Sequence, residues 1–223
     1  MTGVQTCALP ILPEAGYKIV DLANDQAEVL DLLGITEPID VFGISMGGMV
    51  AQELALHHPE KVRTLALGCT SAGGDAMTPP LGEDLMGLYE AQMSGDEARL
   101  QRYGFEFYMG PSHCEEPGNL EKFVALGQIY PTPFEVLVTQ LQAVDGYSTA
   151  DRLPSLTIPT VVIHGTLDRV MPYPNAEPLT AAIPGATHEI FDGAGHLLHL
   201  EDGPSIAAIL EEVSARQTAP ASA

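Results

Sequence analysis

The stretch that decides the fold runs from residue 39 to residue 60 and reads IDVFGISMGGMVAQELALHHPE. It opens with a short apolar run, residues 39–42, which predicts a buried strand. Over residues 46–58 the apolar positions recur with a helical period, and Pro59 then ends the predicted helix. Ser45 stands between the strand and the helix, with a glycine two residues away on either side.

A sharp strand-to-helix turn would hold the Ser45 side chain clear of the sheet edge. Such a turn crowds the backbone two residues before and after the serine, where Gly43 and Gly47 have no side chain to clash. The helix would begin beneath the serine, and its unpaired N–H groups, that of Met46 first, could stabilise an oxyanion. The pattern predicts a nucleophilic serine, with a helix-capping serine in a glycine-rich loop as the alternative.

A nucleophilic serine needs a base and an orienting acid, and two residues further along the chain fit these roles. The apolar runs TVVIHG (160–165) and THEIF (187–191) predict strands, with Asp168 after the first and His196 after the second. The carboxyl ends of parallel strands open at one edge of a sheet, where such folds carry their sites. The chain order Ser45, Asp168, His196 therefore predicts a catalytic triad.

Other residues compete for these roles. The alternative acids are Asp75, Asp192 and Glu201. His164 is expected to be structural, and His199 to start a helix or line the pocket. His113 beside Cys114 indicates a metal site only faintly, because two isolated ligands do not make one, so no metal is predicted.

The segment before the first strand predicts an amphipathic helix over residues 21–33. Ala23, Ala27 and Leu30 fall on one face of it. Asp21 is expected to cap its start and Gly34 to close its end.

Strands and helices alternate on both sides of an all-helical segment. Residues 62–69, VRTLALGC, predict a second strand, whereas residues 75–150 hold helical patterns and no clear strand. The alternation predicts an α/β fold with a mostly parallel sheet and helices on both faces. Its core would comprise residues 17–74 and 151–216, with a helical cap inserted at 75–150 and a disordered tail at 217–223.

These segments resemble the serine-dependent α/β-hydrolase superfamily. GISMGGMVAQELALHHPEKVRTLAL resembles its nucleophile elbow and following helix, HGTLDRVMP the segment of its acid, and GAGHLLHLE that of its histidine. The resemblance covers about residues 17–216 and is closest to small cap-bearing esterases, lactonases and cofactor-free haloperoxidase-type enzymes. Carried over residue by residue, it implies Ser45 as nucleophile, His196 as general base and then acid, and Asp168 as the orienting carboxylate.

The resemblance implies a hydrolase for a small carboxylic ester, lactone or related acyl substrate, working through an acyl-enzyme without metal or organic cofactor. The same triad also serves acyl transfer, perhydrolysis and some carbon–carbon hydrolysis, and the cap would choose among them. The alternative is a non-catalytic ligand-binding relative or an inactive fragment.

The resemblance further implies that the N-terminal strands of the fold are missing. Family members carry more chain before the nucleophile, including a loop whose N–H completes the oxyanion hole. Residues 1–11, MTGVQTCALPI, resemble a translated sequencing-library adaptor, and residues 1–16 are expected to form a non-native or disordered leader. On this hypothesis the second oxyanion donor is absent and one edge of strand 39–42 stands open. We therefore expect a poorly soluble, nearly inactive chain.

Composition limits the partners. The chain has 223 residues and a net charge of −21, with 30 acidic against 9 basic residues, which disfavours nucleic acid and anionic membranes as partners. Three widely spaced cysteines argue against a disulfide framework and suit a reducing, cytoplasmic setting, although a missing natural start leaves a signal peptide open. Oligomeric state is not predicted.

Overall fold

The computed structural model describes residues 16–75, 77–129 and 133–218. Within them, four parallel strands form one sheet in the order β1–β2–β3–β4. The strands are β1 (Ile39–Ile44), β2 (Val62–Gly68), β3 (Thr160–Gly165) and β4 (Thr187–Phe191). The α/β fold with a parallel sheet that the alternating pattern predicts is therefore confirmed.

Ten α-helices lie among the described residues. They are α1 (Ile19–Leu32), α2 (Met46–His57), α3 (Gly82–Met93), α4 (Glu97–Tyr108), α5 (Pro111–Glu115), α6 (Asn119–Ile129), α7 (Phe134–Val144), α8 (Ala176–Ala182), α9 (Leu198–Glu201) and α10 (Gly203–Thr218). No described helix combines the length and the apolar character that crossing a bilayer requires.

Helices cover both faces of the sheet because successive strand residues point to opposite sides. On one face, Leu65, Leu67 and Val162 belong to a buried cluster with residues of α1, α2 and α8. On the other face, Ala66 and Val161 pack in a cluster with residues of α10. Both faces are therefore apolar, as the near-continuous hydrophobic runs of β2 and β3 require.

Helix α1 begins earlier than its periodicity predicts. It starts at Ile19, because the carboxylate of Asp21 accepts the backbone N–H of Lys18 at 2.8 Å and so caps the helix from inside its first turn. Gly34 does close the helix, with φ at +69°, a value that favours glycine. Ala23, Ala27 and Leu30 are buried as predicted, whereas Leu32 is exposed.

Helices α3 to α7 form a block between β2 and β3, in the segment 75–150. The chain enters and leaves this block side by side, since Gly73 and Ser148 form an antiparallel bridge. These two chain segments contact α2 through Gln52. Its side-chain amide donates to the carbonyl of Ser71 at 3.0 Å and accepts the hydroxyl of Thr149 at 2.6 Å. The block is therefore tied to the helix that follows Ser45.

The ends of the chain bear on two predictions. Residues 1–11, with their resemblance to an adaptor, lie outside the described residues, as does the leader 1–16 except for Gly16. Helix α10 continues to Thr218, two residues into the segment predicted as a disordered tail.

Candidate active site

Ser45 follows β1 directly and occupies a strained turn. Its φ is +56°, a value that residues with side chains rarely adopt. The turn is held by the next strand: the N–H of Ser45 donates to the carbonyl of Gly68 at 2.9 Å, and its carbonyl accepts the hydroxyl of Thr70 at 2.7 Å. Strained backbone of this kind concentrates at functional sites, because surrounding contacts must hold it in place.

The glycines around Ser45 differ in how tightly they are packed. A Cβ on Gly43 would overlap the carbonyl oxygen of Gly47, as the sequence predicts. A Cβ on Gly47, in contrast, would have no described atom within 4 Å apart from its chain neighbours and the backbone of its own helix. The close approach lies one residue later, where a Cβ on Gly48 would be 2.6 Å from the side chain of Thr70. The expectation that steric crowding demands glycine at 47 is therefore wrong in this structure.

The candidate oxyanion donor is the backbone N–H of Met46. This residue is the first of α2, so its N–H has no acceptor within the helix. It also lies directly beside Ser45 at the positive end of the helix dipole. The predicted absence of a second donor is untested by the described residues and stays a prediction.

The structure joins Asp168 and His196 directly. Both residues are buried, and the Nδ1 atom of His196 lies 2.8 Å from Oδ2 of Asp168. The other carboxylate oxygen of Asp168 accepts the backbone N–H groups of Val170 and Met171, each at 2.8 Å. Burial would raise the pKa of Asp168, but hydrogen bonds from His164 and His196, the charge of His196 and the N–H of Met171 lower it to about 2. Asp168 is therefore ionised at neutral pH and holds the Nδ1 edge of the His196 ring by a hydrogen bond.

Ser45 is not joined to this pair by a hydrogen bond. Its hydroxyl bonds to no described residue, His196 included, although Ser45, Asp168 and His196 all follow the carboxyl ends of strands in one parallel sheet. Catalytic hydrogen bonds are often long in unliganded sites and tighten when substrate binds. Asp168 and His196 thus form a fixed acid–imidazole pair, and this pair lies at the same edge of the sheet as the strained turn of Ser45.

His164 supports the loop that carries Asp168. It is fully buried, and its Nε2 atom donates to the carbonyl of Met171 at 2.8 Å and lies 3.5 Å from Oδ2 of Asp168. The ring therefore fixes the end of the acid loop and adds to the polar surroundings of the carboxylate.

The competing acids make other contacts. Asp75 is exposed, and Asp192 accepts the hydroxyl of Thr166 at 3.1 Å. Oε1 of Glu201 accepts the N–H groups of Gly195 and Gly110. In the described part of the chain, none of these three carboxylates forms a hydrogen bond with the imidazole of His196.

Cys69 is a neighbour of the site that the sequence analysis does not single out. It is fully buried, and its sulfur, a carboxylate oxygen of Asp168 and a ring nitrogen of His196 lie within 4.8 Å of one another. Burial, reinforced by the charge of Asp168, raises the pKa of the thiol, so Cys69 stays neutral. The available signal was its position directly after the second strand, at the same sheet edge.

Elsewhere among the described residues, the faint metal indication at His113 and Cys114 gains no support. Nδ1 of His113 faces the side-chain amide of Asn119 at 3.3 Å, and the Cys114 thiol points to backbone carbonyls. Neither residue belongs to a group of three potential ligands in the described part of the chain.

The helical block reaches both loops of the acid–imidazole pair. Arg169, next to Asp168, forms an ion pair with Asp84 of α3, and its guanidinium lies 5.6 Å from the ring centre of Phe107 in α4. The backbone N–H of His196 donates to the carbonyl of Tyr108 at 2.7 Å. These contacts join residues that are far apart in sequence, so the local sequence pattern does not predict them.

Comparison with known proteins decides the family. A family model described as "alpha/beta hydrolase fold" matches residues 6–203. The chain belongs to the α/β-hydrolase fold family. The resemblance read from the sequence is thus confirmed.

Relatives of this α/β-hydrolase carry hydrolase and esterase names. A 2-hydroxymuconate semialdehyde hydrolase of Pseudomonas putida is 31% identical over 207 residues, which cover 86% of this chain and 67% of that protein. A pimeloyl-[acyl-carrier protein] methyl ester esterase of Vibrio vulnificus is 30% identical over 158 residues, covering 69% of this chain and 61% of that protein. The chain is therefore an enzyme of the hydrolase class.

A solved structure agrees with this assignment. A hydrolase from Pseudomonas aeruginosa PA01 superposes with a TM-score of 0.69 at 27% identity, over 93% of this chain and 74% of that one. The similarity therefore extends through most of this α/β-hydrolase chain, helical block included.

Proposed function

We propose that this α/β-hydrolase cleaves a carboxylic ester, lactone or related acyl bond through an acyl-enzyme on Ser45. The observation that carries the proposal is the 2.8 Å contact between Nδ1 of His196 and the buried carboxylate of Asp168. That contact fixes the imidazole tautomer with its proton on Nδ1, so Nε2 is free to accept a proton. The strained turn of Ser45, on the same sheet edge, supplies the hydroxyl.

In the acylation step, Oγ of Ser45 attacks the substrate carbonyl carbon while Nε2 of His196 takes the hydroxyl proton. The imidazolium then gives this proton to the leaving alcohol oxygen, and the carbon–oxygen bond breaks. In the second step, Nε2 of His196 takes a proton from water and the resulting hydroxide attacks the acyl carbon. The bond between that carbon and Oγ of Ser45 then breaks, the acid is released, and the imidazolium returns its proton to Oγ. Asp168 stays ionised throughout, since its pKa of about 2 lies far below neutral pH.

The negative oxygen formed at each attack needs hydrogen-bond donors. The N–H of Met46, at the start of α2, is the candidate donor among the described residues. Loss of one donor from such a site typically slows turnover by about a hundred- to a thousand-fold. If the second donor is absent, turnover will be slow while stoichiometric acylation of Ser45 remains measurable.

The names of the relatives support an acyl or related substrate for this chain. One relative is a methyl ester esterase and another a semialdehyde hydrolase, so both kinds of substrate belong in a test panel with simple esters and lactones. The helical block α3–α7, between β2 and β3, is proposed as the cap that selects among them.

The test is covalent labelling of the chain with a fluorophosphonate probe, which reacts with an activated serine and needs only one turnover. We expect labelling of the wild-type chain at Ser45, identified by peptide mass spectrometry, and its loss in Ser45→Ala. Ser94→Ala is the matched control, because the hydrogen bonds of the Ser94 hydroxyl lie in the turn between α3 and α4, where it donates to the carbonyl of Ala91 and accepts the N–H of Asp96. It should label like the wild type.

Two results would overturn the proposal. One is labelling that persists in Ser45→Ala at the wild-type rate. The other is a folded chain that the probe does not label at all, which would favour the alternative of a non-catalytic ligand-binding member or an inactive fragment.

A further inference from the structure

Glu201 sits where the helical block meets the loop of His196. A single oxygen, Oε1, accepts two backbone N–H groups: that of Gly195 at 2.8 Å and that of Gly110 at 3.1 Å. Gly195 directly precedes His196, whereas Gly110 follows α4 in the helical block. One carboxylate therefore bridges the loop of the candidate base and a turn 91 residues away from Glu201 in sequence.

The two turns that Glu201 bridges pack backbone against backbone. A Cβ on Gly110 would overlap the carbonyl oxygen of Gly193 and would lie 2.8 Å from Oε2 of Glu201. A Cβ on Gly195 would lie 2.6 Å from the carbonyl carbon of Met109. The two backbones are packed closely, and buried N–H groups need acceptors. The carboxylate of Glu201 accepts the N–H groups of both Gly110 and Gly195 where the two turns meet.

The same contact sets the backbone at His196 itself. The N–H groups of His196 and Leu197 both donate to the carbonyl of Tyr108, at 2.7 and 3.2 Å. The N–H groups of three successive residues, 195–197, therefore donate to acceptors that lie outside the histidine loop, on Glu201 and Tyr108. Asp168 then fixes how the ring is turned, while these backbone bonds fix where the ring stands.

We infer that Glu201 is a positioning residue, which sets the distance between the His196 ring and Ser45 by tying the histidine loop to the 108–110 turn. The expected effect on the reaction rate of Ser45 rests on the proposed function. The position of the acceptor oxygen, and not the charge of Glu201, is what holds the loop, because both N–H groups donate to the same oxygen. A misplacement of about 1 Å at a reacting centre can lower a rate by about a hundred-fold.

The experiment compares the labelling rate at Ser45 in four variants. Glu201→Gln keeps an oxygen at the place of Oε1 and should label at the wild-type rate. Glu201→Asp keeps the charge but is one methylene too short to reach both amides, and Glu201→Ala removes the acceptor. Both should label about 10- to 100-fold more slowly. Asp192→Asn is the matched control and should behave as the wild type. It neutralises a nearby carboxylate that accepts the hydroxyl of Thr166 and forms no hydrogen bond with the described backbone of the histidine loop.

A spectroscopic readout separates this inference from the proposed function. The Nδ1 proton of His196, shared with Asp168, is expected as a far-downfield proton resonance, assigned by its absence from His196→Gln. It should persist in Glu201→Gln and in Asp192→Asn, and broaden or disappear in Glu201→Asp and Glu201→Ala. Thermal unfolding identifies any variant that does not fold. If Glu201→Ala is unfolded, the inference is tested by comparing the labelling rate and the proton resonance of Glu201→Asp with those of Glu201→Gln.

The inference is overturned if Glu201→Asp retains both the wild-type labelling rate and the downfield proton. It is equally overturned if Glu201→Gln is as slow as Glu201→Ala, since charge would then matter and geometry would not. A wild-type chain that the probe never labels overturns the proposed function instead, and the proton resonance still tests Glu201 in that case.

Discussion

Two glycines that a sequence pattern treats as equivalent have different environments in this enzyme. Gly43 lies where β1 meets the first turn of α2, and a Cβ there would overlap the carbonyl oxygen of Gly47 and crowd Ala51. Gly47 lies inside α2, with no described atom near the place of its Cβ and with φ outside the left-handed region. The two positions should therefore respond differently to the same substitution.

We expect Gly43→Ala to destabilise the chain by about 1–3 kcal/mol, the usual range for overpacking. Gly47→Ala should be neutral or stabilising by up to about 1 kcal/mol, because alanine is the better helix former. Chemical denaturation of both variants measures the difference in the free energy of unfolding. Equal destabilisation by the two substitutions would show that the motif demands glycine at 47 for a reason other than space within the described residues.

Much of the candidate site could be predicted at the residue scale, because its signals are local. Ser45 stands in a short strand–turn–helix pattern, and Asp168 and His196 follow apolar runs that end at one sheet edge. Cys69 and Glu201 gain their places from contacts with residues distant in sequence, which no periodicity encodes. Pattern reading therefore finds the candidate reacting groups, but it does not show which other residues contact them or their loops.

The same distinction holds for whole elements. Strands β3 and β4 have the predicted bounds. For β3 the reason is that a buried apolar run between turn residues leaves little freedom. Helix α1 begins two residues early because a side chain inside its first turn caps the N–H of Lys18, an arrangement that a search for a preceding cap does not find. The helices of segment 75–150 are readable from their periodicity, but their contacts with the loops of Asp168 and His196 are not.

One of those contacts predicts a local effect on stability. The carboxylate of Asp84 in α3 is almost fully buried and is paired with Arg169, the residue after Asp168. Arg169→Met would keep the apolar stem but leave a buried charge without its partner, at a cost of about 1–3 kcal/mol. The loss should appear as faster hydrogen exchange in α3 and α4, with little change in strands β2 and β3.

A matched variant tests whether burial causes this effect. Arg99 pairs with Glu90 within the same helical block, but both side chains are more than half exposed and 3.8 Å apart. Exposed pairs contribute about 0–1 kcal/mol, so Arg99→Met should leave hydrogen exchange nearly unchanged. The double variant Asp84→Asn with Arg169→Met should recover part of the loss, because no buried charge remains. Similar exchange in the Arg169 and Arg99 variants would contradict the argument.

At the scale of the whole molecule, the two outer strands of the sheet differ in how well they resist pairing. Within the described residues, β1 pairs only with β2, and β4 pairs only with β3. Strand β4 carries Glu189 in its middle, and a charged side chain on an edge strand discourages association. Strand β1 is apolar except for Asp40, which Arg63 neutralises in an ion pair. The expectation of poor solubility stays a prediction, and strand β1 is the surface on which it can be tested.

We expect the chain to self-associate through β1 as its concentration rises, despite the net charge of −21 that favours dispersal. Ile39→Lys places a charge at the start of that strand and should shift the onset of association, measured by sedimentation velocity, to several-fold higher concentration. Ile190→Lys adds the same charge to the opposite edge, where the side chain is already half exposed, and should have little effect. A chain that sediments as a monomer at every concentration, or two variants that respond alike, would rule out β1 as the associating edge.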